Sequence, residues 1–225
     1  MVDQLVEITA GSVALEGNLA APDRALGVVL FAHGSGSSRH SPRNRHVAQV
    51  LREAGLATLL LDLLTADEER EDLRTARLRF DIGLLAERVI GATDWLCQNP
   101  ETARMRIGYF GASTGAAAAL VAAAERPDAV GAVVSRGGRP DLAMPALPRV
   151  NAPTLLIVGD LDFPVIDMNR QALAHLRVEK KLEIIVGATH LFEEKGTLGQ
   201  VARLAQVWFT RHLSAARVPG DPEAC

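Results

Sequence analysis

No stretch of this sequence approaches the roughly 18 unbroken apolar residues that a membrane span requires. Nor is there an excess of charge of one sign: 24 Lys and Arg stand against 27 Asp and Glu, a net charge of -3. That balance supplies no basic field of the kind that dominates binding to nucleic acid or anionic membranes, so neither is expected as a partner. The opening residues, "MVDQLVEITAGSVALEGNLAAP", lack the basic segment followed by an apolar core that marks an export signal. Cysteine is scarce: Cys97 falls late in a helical pattern and Cys225 is the last residue, which argues against a disulfide framework and makes reduced cytoplasm the simplest home. No histidine stands at metal-ligand spacing from cysteine or carboxylate, and no G-x-G-x-x-G or phosphate-cradling loop appears. Neither a metal nor a cofactor is therefore expected. Internal repeats and inner linkers are also missing, which leaves one domain over residues 1–217, a flexible tail over 218–225, and a monomer or homodimer as the expected state.

What the chain does have is an apolar half, 48% hydrophobic, distributed in short β-branched runs. The first two, "LVEITA" and "VALEGNLA", alternate and are joined at Ala10-Gly11, which predicts a hairpin. The later runs, at 27–33, 57–63, 106–112, 129–135, 153–160 and 182–188, are almost continuously apolar, as strands buried on both faces would be. Helical patterns separate them. Ser41 offers a cap, Pro42 a first helical residue and Gly55 a stop for one helix; another pattern ends at Pro100, and two more lie near 166–177 and 197–213. The acidic run 67–72 reads as a solvated loop or a first helical turn. This order predicts an α/β fold: a doubly wound, mostly parallel sheet of about eight strands with an antiparallel N-terminal hairpin.

The segment "RIGYFGASTGAAAAL" carries the sharpest chemical signal. G-x-S-x-G needs a strand that turns abruptly into a helix, lifting the serine hydroxyl above the sheet edge, with glycines where a Cβ would collide. The apolar run before Ser113 and the alanine-rich helix after it supply that setting, and the positive helix end would lie near a developing oxyanion. As a mere helix cap Ser113 would be explained, but the paired glycines would not.

A serine hydroxyl needs a base, and the base an orienting carboxylate. Of six histidines, His175 and His212 fall in helices, His40 and His46 beside the first helix, and His33 at the end of an early strand. His190 alone lies in a loop after a late strand, where an open α/β sheet presents its binding crevice. The acid should come from "GDLDFPVIDM". Asp167 reads as a first-turn helix residue, Asp160 abuts the strand, and Asp162 lies further into the loop and can reach back.

"FAHGSGSS", "GASTG", "GDLD" and "GATHLF", in this order and over nearly the whole chain, resemble the α/β-hydrolase superfamily, in particular its small, lidless, dienelactone-hydrolase-like branch. The resemblance implies Ser113, Asp162 and His190 as nucleophile, acid and base, with Gly159 and Val165 completing the G-x-x-D-x-x-V context of the acid. It also implies that the backbone N–H groups of Ser35 and Thr114 hold the oxyanion and that His33 is structural. One departure matters: the namesake hydrolases use a cysteine nucleophile where this chain has Ser113, which detaches the dienelactone substrate from the resemblance. Only about twenty residues separate the run ending at 135 from "TLLIV", too few for a helical cap domain.

The expected activity is that of a serine hydrolase cleaving small carboxylic esters or lactones. A thioesterase or amidase would use the same atoms, and a non-catalytic α/β-hydrolase-like binding module is the alternative of another kind. Arg43, Arg45, Arg136 and Arg139 fall near the crevice and could hold a carboxylate or phosphate, unless they are ordinary surface charges, with Arg136 and Arg139 paired to Asp141 or to an acid of "TADEEREDLR". Arg136 and Gly36 are the expected substrate contacts.

Overall fold

The computed structural model describes residues 2–214. The boundary expected at 217, the tail 218–225 and Cys225 lie outside the described residues. The N-terminal hairpin forms from β1 (Val2–Ala10) and β2 (Val13–Ala21), with Ala10 opposite Val13 and Gly11 at φ +63° making the turn. Left-handed backbone there is what a two-residue hairpin requires, and glycine adopts it without a Cβ penalty.

The remaining strands are β3 (Val28–Ala32), β4 (Ala57–Leu61), β5 (Ile107–Ala112), β6 (Val130–Arg136), β7 (Thr154–Gly159) and β8 (Lys180–Ile185). They assemble in the order β1-β2-β4-β3-β5-β6-β7-β8, antiparallel as far as the β2–β4 pair and parallel beyond it. Side-chain alternation explains why the inner runs are so continuously apolar. Val28, Leu30 and Ala32 of β3 join one core, while Val29 and Phe31 join the other; Tyr109 and Phe110 of β5 divide in the same way.

Six helices cover the two faces. They are α1 (Pro42–Glu53), α2 (Ala66–Thr75), α3 (Ile82–Gln98), α4 (Thr114–Glu125), α5 (Phe163–His175) and α6 (Thr197–Leu213). α3 and α4 pack on the core that contains Val28 and Tyr109, and α1 and α6 on the opposite one. Ser41 caps α1, its hydroxyl accepting from the Asn44 N–H, and Gly55 follows the helix at φ +84°. Between β6 and β7 lie only two short 3-10 turns, Pro140–Ala143 and Leu147–Arg149, and no cap domain is inserted there.

Two details go beyond or differ from expectation. The acidic run, read as a loop or a first helical turn, does open a helix, and that helix, α2, continues to Thr75 behind a reciprocal capping box between Thr65 and Glu68. β8 starts at Lys180 and ends at Ile185, two to three residues before the run chosen from hydrophobicity.

Candidate active site

Ser113 sits between β5 and α4 at φ +50°, ψ -121°. A capping serine would lie in extended backbone with its oxygen accepting from the helix's first turn; Ser113 does neither. Positive φ at a non-glycine residue costs on the order of 1–3 kcal/mol and persists only where the surroundings enforce it. Two glycines do so. A Cβ on Gly111 would stand 2.4 Å from Ala116 Cα, and one on Gly115 would stand 2.3 Å from the carbonyl oxygens of both Ala32 and His33. α4 is thereby drawn against β5 and the end of β3, which its run of fully buried alanines permits.

In the loops after β7 and β8, the His190 Nδ1–H donates to Asp162 Oδ2 at 2.7 Å. This bond fixes the tautomer and leaves Nε2 with a lone pair available to take a proton. Asp162 is well covered and the His190 side chain 39% exposed, so the acid is shielded while the base faces solvent. Asp160 is employed otherwise: its Oδ1 accepts from the Gly187 N–H at 2.7 Å, pinning the loop after β8. The loop's far side is held by Glu194, which accepts from the Thr189 hydroxyl at 2.5 Å and from the Thr189 N–H at 3.2 Å. These hydroxyl contacts hold the Glu194 carboxyl below its ordinary range. Gly159 has a mechanical reason to be glycine, since a Cβ there would meet Ala188 O at 2.2 Å.

The peptide after β6 abuts both halves of the site. Arg136 O accepts from the Ser113 N–H at 3.4 Å, and a Cβ on Gly137 would lie 3.5 Å from His190 Nδ1. Among the described residues Ser113 Oγ makes no hydrogen bond, a common state before substrate tightens catalytic contacts.

The Ser35 loop approaches from the β3 side. Ser35 Oγ lies 3.0 Å from Thr114 Oγ1 and donates to Arg79 O at 3.3 Å, so Thr114 is the donor within the pair. The backbone N–H of Ser35 donates to no protein group among the described residues, and that of Thr114 opens a helix, where an N–H has no intrahelical acceptor. Gly34 sits against Ser113, with a Cβ there 3.0 Å from Ser113 Cβ, and Gly36 turns the loop at φ +65°. Gly36, Ser35 and Thr114 line one cleft with Arg79 and Asp72 of the α2 region.

Sequence reasoning missed that α2 contribution. Asp72 is buried; burial raises its carboxyl pKa, but hydrogen bonds from the Arg79 backbone and guanidinium and from the Leu78 N–H hold it below the ordinary range. The T-x-x-E of Thr65 and Glu68 was the readable signal for this helix.

His33 braces the same loop. Its Nδ1–H donates to Gly34 O at 2.9 Å and its Nε2 accepts from the Leu63 N–H at 3.1 Å. Burial pushes the imidazole below its ordinary value, against the opposing pull of the Gly34 carbonyl, Asp62 and Glu69. Unfolded His33 takes up a proton near the usual pKa of about 6.5, whereas folded His33 does so only at lower pH, so stability is complete above that range and falls as pH drops below it. In His33→Gln the new side-chain carbonyl can still accept from Leu63 but does not titrate. Thermal melts are expected to show a shallower loss of Tm between about pH 7 and pH 5 for the variant than for wild type; parallel curves would contradict this.

The four arginines separate cleanly. Arg139 is bidentate with Asp141, at 2.8 Å through both Nε and Nη2. Arg43 pairs with Glu193 at 2.8 Å, and Arg45 is exposed. Arg136 is buried and has no acidic partner among the described residues; its Nη2 reaches Asn44 Oδ1 at 3.5 Å, and its guanidinium lies 5.8 Å from the Phe192 ring centroid. The expected alternative of an Arg136–Asp141 pair is therefore not what forms.

An eight-stranded sheet in this order, a serine on a strained strand–helix turn and a histidine–carboxylate pair in the last two loops define the α/β-hydrolase class. Residues 15–214 match the dienelactone hydrolase family. The chain belongs to that family. A solved dienelactone hydrolase from Anabaena variabilis is 65% identical, covering 94% of this chain and 98% of its own, with a TM-score of 0.93. Est1E from Butyrivibrio proteoclasticus shares the fold at 16% identity and a TM-score of 0.78, covering 92% of this chain and 98% of its own. A relative from Mycobacterium tuberculosis strain H37Rv, named "Putative phosphoribosyl transferase", is 57% identical over 211 residues, covering 94% of this chain and 47% of its own. The chain thus spans about half the length of that relative, whose name describes the longer protein. No helix among the described residues is long and apolar enough to cross a membrane.

Proposed function

We propose that this hydrolase-family chain is a serine hydrolase that cleaves small carboxylic esters or lactones through an acyl-enzyme. The observation that carries the reading is Ser113, held at positive φ without capping its helix, on one side of the Arg136–Gly137 peptide, with a histidine oriented by a carboxylate at 2.7 Å against the same peptide. In this mechanism His190 Nε2 removes the Ser113 proton as Oγ attacks the substrate carbonyl, and Asp162 stabilises the imidazolium that forms. The N–H groups of Ser35 and Thr114 donate to the oxyanion, reinforced by the positive end of α4. His190 then protonates the leaving oxygen, and a water molecule repeats the sequence to release the acid. Thioester or amide substrates would use the same atoms, so the class of acyl donor is settled by comparing a matched ester, thioester and amide. Ester and thioester are both expected to turn over faster than the amide, whose amine must be protonated before it can leave.

A fluorophosphonate probe tests the reading directly. Peptide mapping is expected to find stoichiometric label on Ser113. An unlabelled protein would point instead to a binding module.

A further inference from the structure

The sheet ends at β8, whose outer side meets no other strand among the described residues. The carbonyls of Glu179 and Ile185 accept from the N–H groups of Thr154 in β7 and Asp160 just after it, so the odd-numbered residues of this stretch turn their backbone groups inward. Lys180, Leu182 and Ile184, although in register with Thr154, Leu156 and Val158, therefore direct their N–H and C=O groups to the free edge. Side chains alternate as well. Lys181, Glu183 and Ile185 stand on the α6 face, where they line an open groove with Leu204, Val207 and Trp208 of that helix. Leu182 and Ile184 pack on the opposite face with Val165 and Ile166 of α5. Val207 is 65% exposed.

A free edge is a template for another strand, and the side chains along it decide which strand fits. In a two-fold pair, two copies of β8 run antiparallel about an axis perpendicular to the sheet, and residues directly opposite share a face. Only the backbones of Lys180, Leu182 and Ile184 face outward to make the bonded pairs. A register centred on Lys181 then sets two ammonium groups against each other, and one centred on Glu183 sets two carboxylates against each other. The register centred on Leu182 uses all three outward residues, bonding Leu182 to its own copy and Lys180 to Ile184. It also places Lys181 opposite Glu183 of the partner subunit at both symmetric positions, in the non-hydrogen-bonded pairs where side chains approach most closely. Within one chain Lys181 Nζ already reaches Glu183 Oε1 at 2.5 Å, so the pairing joins two ion pairs into one network of four charges. We propose that β8 is a self-recognition edge: a second copy of this chain pairs with it antiparallel, centred on Leu182, and the two eight-stranded sheets become continuous. Both α6 helices then lie on the same face of the joined sheet, with the exposed Val207 side chains turned to the shared groove. Lysines on an edge ordinarily discourage pairing; here they choose the register.

The experiment measures the mass of the full chain by light scattering and sedimentation over a dilution series, with circular dichroism to show that each variant is folded. Wild type is expected at twice the 24.0 kDa of one chain, dissociating on dilution. Lys181→Glu and Glu183→Lys each set like charges opposite one another, and each is expected to raise the dimer Kd roughly tenfold or more. An equimolar mixture of these two variants is expected to regain the dimer mass, because both cross-strand contacts between them again join an ammonium to a carboxylate. Leu182→Pro removes an N–H that β7 does not use and is expected to leave the monomer folded while abolishing the dimer. The proposal is overturned if wild type keeps the mass of one chain throughout the series, or if its dimer survives both charge changes and Leu182→Pro. Folded single variants that stay monomeric when mixed would overturn it too, since the register predicts their pairing.

Discussion

Ser113→Ala is expected to reduce hydrolysis of p-nitrophenyl acetate by about a millionfold, to the residual rate that oxyanion donors and binding alone provide. The magnitude follows from the division of labour in the site. On the proposed mechanism His190 and Asp162 would have no proton to move without the Ser113 hydroxyl, so their contribution would vanish with it. Alanine tolerates φ +50° no better and no worse than serine, and Ser113 Oγ supports no capping bond whose loss would loosen α4. Circular dichroism and Tm are therefore expected to stay at wild-type values. Retained turnover in the folded variant would refute the acyl-enzyme mechanism, whereas a collapse of Tm would mean that the hydroxyl serves the fold.

Gly115→Ala is expected to produce a large structural effect for a single methyl group. The added Cβ would lie 2.3 Å from two backbone carbonyl oxygens, of Ala32 and His33. Neither can swing aside as a side chain would, because Ala32 lies in β3, paired on both edges with β4 and β5, and the His33 imidazole is bound to Gly34 O and the Leu63 N–H. Relief requires α4 to move off the sheet, at a cost of roughly 3 kcal/mol or more, which in a chain of this size lowers Tm by about 6–12 °C. The same shift would carry the Thr114 N–H away from the oxyanion position, so kcat/KM should fall even where the protein remains folded. Gly199→Ala is the control. The nearest atom to its added Cβ is the flexible end of Arg203, at 3.6 Å, and Tm should be unchanged or slightly raised. Equal melts for the two variants would disprove the packing argument.

The inner strands were legible because burial on both faces leaves an unmistakable apolar run, and the doubly wound order followed from their spacing with the helices. β8 was placed late for the complementary reason. It is the sheet edge, and its exposed Lys180 and Lys181 pair through backbone with Thr154 and Leu155, a contact that needs no apolar side chain. α2 escaped because it has no apolar stripe: Leu73 is its one large aliphatic residue and lies exposed, while the helix is held by its cap and by Asp72. Asp160 and Asp162 occupy one loop two residues apart, and residue type cannot separate them. What separates them is the Gly187 N–H, which claims the first and leaves the second for His190. The four arginines likewise differ only in partners, of which Asp141, two residues beyond Arg139, was the readable one.

The short connection between β6 and β7 has a chemical corollary. An acyl group on Ser113 would lie under no cap, with the 39% exposed imidazole of His190 beside it. An enzyme that passes acyl groups to alcohols or amines must keep its intermediate dry, because bulk solvent outnumbers any dissolved acceptor. On the proposed mechanism the open site would instead admit solvent to the intermediate, and breakdown by water rather than transfer to another acceptor is the expected outcome.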